Sequence, residues 1–298
     1  MSEPEKAGEG REGRVAMKVL VAREVGFCFG VKRAINLTRQ ALAERSDVFI
    51  VGDLVHNKAV IQDLEERGLK EVSAYTERKS GTAVVRAHGL PRRELQKIRD
   101  HGLDLVDATC PIVRQAQDAA RTLEQRGLQV IMIGDENHAE VKGVLGSLEK
   151  PALIVNSVED VEKAKNERKL MRRVGVIVQT THSMDKCEPI INAIQRLAKE
   201  VHFINTICRP VQHRQFDAVE LASQVEMMVI VGSRKSANTM QLKDLCEKYN
   251  PRTIAVESAK DLDLVAFTGI KTVGLASGLS TPENLIEEVK AALMSAHG

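Results

Sequence analysis

Three cysteines of the 298-residue chain sit in the same local setting. Cys28-Phe-Gly-Val31, Cys110-Pro-Ile-Val113 and Cys208-Arg-Pro-Val211 each follow an apolar or strand-like approach and open a helical pattern. Each precedes by 24 residues a glycine that ends a strand-like run, namely Gly52, Gly134 and Gly232. Polar loops follow, carrying His56 and Asn57, His138 and Glu140, and Ser236 and Asn238. A further polar strand end closes each stretch: Arg86-Ala-His88, Gln179-Thr180-Thr181 and Ala276-Ser-Gly-Leu-Ser280. A helix N-terminus offers unpaired N–H groups and a positive dipole end, which favour thiolate over thiol. Three thiolates about one point make a soft, anionic metal site. Zinc takes four protein ligands when structural, or a His and carboxylate mixture when catalytic. Iron–sulfur clusters are held by thiolates, usually four. Three ligands on a four-iron cluster leave one iron open to a substrate oxygen. The alternative is three unrelated buried cysteines, and the repeated context argues against it.

The elements that must position these residues are legible as an alternation. MKVLVA, VFIVG, AVVRA, QVIMIG, ALIV, VGVIV, MMVIVG, TIAV and TVGLAS read as short buried strands. AINLTRQALAER, IVRQAQDAARTLEQRG, EPIINAIQRLAKE and FDAVELASQV read as amphipathic helices. Such alternation implies mostly parallel sheets with crossover helices. The expectation is an α/β fold of three pseudo-threefold-related units around a central cavity: a solvated tail over 1–16, then units 17–109, 110–207 and 208–298. Functional loops of a parallel sheet lie at the carboxyl ends of its strands, so three such ends can face one shared site.

Composition narrows the function. Lys and Arg number 43 against 41 Asp and Glu, a net charge of +2, which speaks against a nucleic-acid binder. Aromatics are 3% of residues with no Trp, too few for base-stacking platforms. No apolar run reaches the roughly 18 residues of a membrane helix, and no secretory leader is visible, so a soluble cytoplasmic protein is expected. Five cysteines at wide spacing, without a CxxC pair, make a poor disulfide framework or zinc ribbon. No Gly-rich nucleotide fingerprint follows a strand.

Taken together, EVGFCFGVKRAI, VGDLVHN, VRAHG, DATCP, NHAEVKGVLG, QTTHS, NTIC followed by RQ, VGSRKSAN and ASGLSTP resemble the LytB (IspH) family from about Met17 to the C-terminus. That family comprises 4-hydroxy-3-methylbut-2-enyl diphosphate reductases, which catalyse the last step of the methylerythritol phosphate isoprenoid pathway. The resemblance implies three α/β units around a cavity and one [4Fe-4S] cluster on Cys28, Cys110 and Cys208, with one iron open. It implies reductive removal of the allylic hydroxyl, giving isopentenyl and dimethylallyl diphosphates, with ferredoxin or flavodoxin as electron donor.

The same resemblance assigns His56, His88 and His138 to the diphosphate, where protonated imidazoles supply donors and charge. Glu140 matches the residue that delivers protons, and Thr180 the residue that orients the hydroxyl. Thr181, Ser236, Asn238 and Ser280 complete the substrate cradle. Cys187 and Cys246 are expected to be structural. His101, His182, His202, His213 and His297 are expected to be background. Two positions depart from the family pattern: Ala237 stands where a serine is usual and Val211 where a threonine is usual. They motivate the alternative of a related dehydroxylase for another small phosphorylated substrate. A non-catalytic iron–sulfur sensor is a second alternative, which the retention of Glu140 and Thr180 opposes.

Overall fold

The computed structural model describes residues 17–295. The tail expected over 1–16, and His297, lie outside them. Twelve described strands form three four-stranded sheets, and every pairing is parallel. One sheet runs β3 (Lys70–Val72), β2 (Val48–Val51), β4 (Thr82–Val85), β5 (Asp104–Asp107). The next runs β7 (Leu153–Val155), β6 (Gln129–Ile133), β8 (Arg173–Val178), β9 (Glu200–Phe203). The last runs β11 (Thr253–Val256), β10 (Met227–Val231), β12 (Thr272–Ser277), β1 (Lys18–Val21). The order is the same in all three, so the fold is three α/β units about a pseudo-threefold axis.

One sequence assignment changes. Its place in the chain puts β1 in the first unit, yet it pairs with β12 from Lys18↔Thr272 to Val21↔Leu275. There it covers an otherwise open strand edge and packs Val19 and Val21 into the third unit's core. We propose units of 28–109, 110–207, and 208–295 together with 17–27. Each cysteine then stands where the fourth strand of one sheet hands the chain to the first helix of the next.

Helices cover both faces of each sheet, as purely parallel sheets require. They are α1 (Phe29–Glu44), α2 (Lys58–Glu66) and α3 (Arg92–Asp100) in the first unit. The second holds α4 (Pro111–Gln125), α5 (Ala139–Leu145), α6 (Val158–Asn166) and α7 (Met184–Leu197). The third holds α8 (Arg209–Ala222), α9 (Ala237–Glu247) and α10 (Glu283–Ser295). Each unit has apolar clusters on both sheet faces. Three edge strands, β3, β5 and β9, were not read from sequence because they are short, half-exposed and charged. No described helix is long and apolar enough to cross a membrane.

Candidate functional site

The three cysteines are the N-cap residues of α1, α4 and α8. Their backbone N–H groups make equivalent bonds: Cys28 to Leu279 O at 3.0 Å, Cys110 to Ala87 O at 2.9 Å and Cys208 to Thr180 O at 2.9 Å. The accepting residues lie at the carboxyl ends of the third strand of each sheet, next to Ser280, His88 and Thr181. The threefold therefore places all three thiols and all three polar strand ends at one centre. A single cavity of about 110 Å³ is lined by Cys28, Cys110, Cys208, His56, His88, His138, Glu140, Thr180, Thr181, Ser236, Asn238 and Ser280. Clefts of about 470 and 660 Å³ lie elsewhere. Chemistry, not size, singles out the central one.

The thiols suit a cluster. None is in a disulfide, and Gly30 leaves room beside them: a Cβ there would lie 2.6 Å from Cys110 Sγ and 3.9 Å from Cys28 Sγ. Among the described residues, only the imidazoles of His56, His88 and His138 bring their ligand atoms within 4.8 Å of one another. Three soft donors with helix N-termini behind them fit an iron–sulfur cluster. At Cys110 and Cys208 the helix ends do not ionise the thiols by themselves. Burial pushes Cys208 up to about 11, outweighing the helical N–H of Val211, and raises Cys110 likewise. Metal binding must supply the remaining drive to thiolate.

The histidines form a wall. Their ring centroids are 4.8 Å apart for His56 and His88 and 5.6 Å for His88 and His138. Burial works against the expected protonation of these imidazoles. Burial lowers all three, His138 to about 4 and His88 well below the ordinary value, with Arg86 adding to the effect. His138 caps α5, its Nδ1 accepting the Glu140 N–H at 3.2 Å. Two cavity groups find no partner among the described residues, His88 Nδ1 and Asn238 Nδ2. Buried polar atoms without partners are costly, and an anion with many acceptor oxygens would relieve Asn238.

Glu140 is 2% exposed. Oε1 accepts the Thr180 N–H at 2.7 Å, and Oε2 accepts the Thr180 hydroxyl at 2.7 Å. Burial raises its carboxyl above the ordinary value despite both bonds. Thr181 Oγ1 accepts from Gln179 Nε2 at 3.1 Å and keeps its own proton to donate. Ser236 caps α9 by accepting the Thr239 N–H, and Ser280 donates to His56 O at 3.3 Å across two units. Val211 and Ala237 line the same cavity and supply no hydrogen bond from their side chains.

Cys187 and Cys246 are fully buried in apolar clusters away from this cavity. His182 is not solvated background. It is 1% exposed, with Nε2 3.2 Å from Asn156 Oδ1 and Nδ1 2.9 Å from Gln241 Nε2, which joins the second unit to α9 of the third. Sequence reasoning also missed Arg214, a buried cation whose Nη1 donates to Gly26 O and Gly278 O at 2.8 Å and to Ser277 O at 3.2 Å. It braces the turn before Cys28. The signal was available: Val211, Arg214, Gln215 and Ala218 form one helical stripe, with a charge on its buried face.

Comparison with known proteins agrees with this arrangement. The family model described as LytB protein matches residues 19–294. A 4-hydroxy-3-methylbut-2-enyl diphosphate reductase of Trichlorobacter lovleyi is 37% identical over 92% of this chain and 96% of its own length. The enzyme of the same name from Geobacter sulfurreducens is 37% identical over 92% and 95%. A solved (E)-4-hydroxy-3-methyl-but-2-enyl diphosphate reductase, titled the terminal enzyme of the non-mevalonate pathway, superposes with a TM-score of 0.68 at 35% identity, covering 94% of this chain and all of that one. The Plasmodium falciparum structure, titled an E-1-hydroxy-2-methyl-but-2-enyl-4-diphosphate reductase, gives 0.86 at 25% identity, covering 93% and 87%. With the family model spanning nearly the whole described chain, and the repeated cysteine units closing on one cavity, this chain belongs to the LytB protein family.

Proposed function

We propose that this chain is a 4-hydroxy-3-methylbut-2-enyl diphosphate reductase that removes the allylic hydroxyl to give isopentenyl and dimethylallyl diphosphates. The observation that carries the reading is the convergence of three thiols, three imidazoles and the Glu140–Thr180 pair on one cavity. Cys28, Cys110 and Cys208 would hold a [4Fe-4S] cluster. When bound, it supplies electrons singly and a Lewis-acidic iron.

The protein's own residues supply the rest. His56, His88 and His138, with the Asn238 amide and the Ser236 and Ser280 hydroxyls, bind the diphosphate. Its negative charge would raise the imidazoles and draw protons onto them. Burial disfavours the charge of Glu140 and so shifts its carboxyl towards the protonated form. Protonated, it donates to Thr180 Oγ1, which turns its own proton to the substrate hydroxyl, so the pair forms a short relay. Loss of hydroxyl as water needs that proton, since hydroxide is a poor leaving group. The balance is one substrate, two electrons and two protons to one product and one water.

A reductase needs a reductant, and we assign that role to ferredoxin or flavodoxin. The test is a strictly anaerobic assay of the cluster-loaded protein with the allylic diphosphate and reduced methyl viologen. Dye oxidation coupled to both five-carbon products is the expected result. A loaded cluster without turnover would overturn it and point to Val211 and Ala237 as marks of another substrate.

A further inference from the structure

Electrons must reach the thiol centre from outside, and the three cysteines stand at the first turns of α1, α4 and α8. We infer that an acidic one-electron carrier docks on the exposed face of α1 beside Cys28. This rests on the reductase reading above. Phe29, next in sequence to Cys28, is 67% exposed, and an exposed large aromatic on a monomer marks a contact site when it lies in a built surface. The surface is a shallow groove of about 330 Å³ lined by Phe29, Lys32, Arg33, Asn36, Leu37 and Gln40. It holds two cations and no acid.

Its back is against the centre. Arg33 Nη1 donates to Thr109 O at 3.1 Å, the residue before Cys110, and Gly30 abuts Cys110 Sγ. The first turn of α1 thus carries groove residues on one side and touches the Cys110 segment on the other. Lys32 has an exposed acidic neighbour, Glu283, at 3.5 Å. Such a pair contributes little, and leaves the lysine free to meet a stronger acidic surface.

The other exposed phenylalanine on a cysteine-bearing helix makes the contrast. Phe216 on α8 is 71% exposed, but it adjoins Asp217, which with Glu220 binds Arg23. It also lies two turns from Cys208. An acidic carrier is repelled there and attracted at Phe29. Charge complementarity sets encounter rate and orientation, and redox encounters use small, transient interfaces of this kind.

The experiment compares two donors on the cluster-loaded protein: reduced acidic [2Fe–2S] ferredoxin and reduced methyl viologen. Lys32→Glu is expected to raise KM for ferredoxin about tenfold at low salt, with the effect shrinking as salt rises. Phe29→Ala is expected to raise it severalfold. Viologen-driven turnover stays within about twofold of wild type in both, and Phe216→Ala changes neither. Ferredoxin binding, followed by fluorescence titration without turnover, weakens in parallel. Unchanged ferredoxin KM and binding in Lys32→Glu and Phe29→Ala, or equal losses with both donors, overturns the docking site. A wild-type protein that binds ferredoxin through Lys32 yet reduces the allylic diphosphate with neither donor overturns the reductase reading instead.

Discussion

One residue, Thr180, occupies both oxygens of the Glu140 carboxylate, with its N–H on Oε1 and its hydroxyl on Oε2, each at 2.7 Å. Those bonds favour the charged carboxylate, while burial disfavours it, and burial wins. The pair is therefore poised to hold a proton and pass it through a hydroxyl.

Glu140→Gln is expected to keep the cluster spectrum and to lose about 10²–10⁴-fold in turnover, the usual share of a positioned acid. Thermal stability moves the opposite way. A carboxyl raised in the folded state contributes stability fully only below its ordinary value of 4.5. That contribution is lost as pH rises towards the folded value. Glutamine removes the loss, so the variant melts at or above the wild-type temperature at neutral pH. Turnover of the wild-type protein falls as pH rises past the raised value. A variant that melts lower and turns over normally would contradict the assignment.

The histidine wall has the reverse sign. Its imidazoles are depressed in the folded protein, His138 from 6.5 to about 4. Their contribution is present above 6.5 and lost as pH falls through that window, so acid destabilises the free protein there. Binding of inorganic pyrophosphate reverses the depression. Calorimetry in buffers of different ionisation enthalpy is expected to show net proton uptake at neutral pH, and tighter binding at pH 6 than at pH 8. Uptake is expected to be reduced in His138→Asn. Proton release would refute an imidazole cradle.

Cys110→Ser is expected to abolish iron binding and turnover while leaving the fold intact, because its thiol caps nothing through a side-chain hydrogen bond. Cys187→Ser and Cys246→Ser are expected to retain full iron. Each buries a hydroxyl in an apolar cluster and loses about 1–3 kcal/mol of stability. Iron content per chain together with melting temperature separates the two classes.

Gly30→Ala gains roughly 1 kcal/mol of helix propensity in an ordinary helix. At this position the new methyl meets Cys110 Sγ at 2.6 Å. The expected outcome is a protein that folds but takes up less iron than wild type, measured by anaerobic reconstitution. Full iron loading would show that the thiol moves aside without cost.

Arg214→Met leaves the carbonyls of Gly26, Ser277 and Gly278 without their shared donor. Chemical denaturation is expected to report a loss of about 3 kcal/mol, in line with the penalty for buried polar groups left unpaired. Arg214→Lys restores charge but not the planar fork, and an intermediate loss is expected. A loss below about 0.5 kcal/mol would mean that other groups take over these carbonyls.

Much of this was legible in the chain. The 24-residue interval from Cys28, Cys110 and Cys208 to Gly52, Gly134 and Gly232 is a local property: a helix and a strand of set length fill it. Buried parallel strands are continuous apolar runs, so the central strands β2, β4, β6, β8, β10 and β12 were readable, while the charged edge strands were not. The repeated motif singled out the three cysteines, and the family resemblance of the surrounding motifs named nine more of the residues that line the cavity.

Tertiary structure decided what depends on partners distant in sequence. β1 belongs with β12, 251 residues or more away, because a parallel edge accepts any apolar strand in register, and adjacency in the chain does not enter. His182 and Arg214 acquire their roles from Gln241 and from Gly26, neither of which a local pattern can reveal. The protonation of the site is likewise a property of the fold. A helix N-terminus favours thiolate, and a polar loop favours a charged imidazole. At Cys110, Cys208 and the three histidines burial opposes both preferences, because three units close on one point and desolvation acts on every buried charge at once.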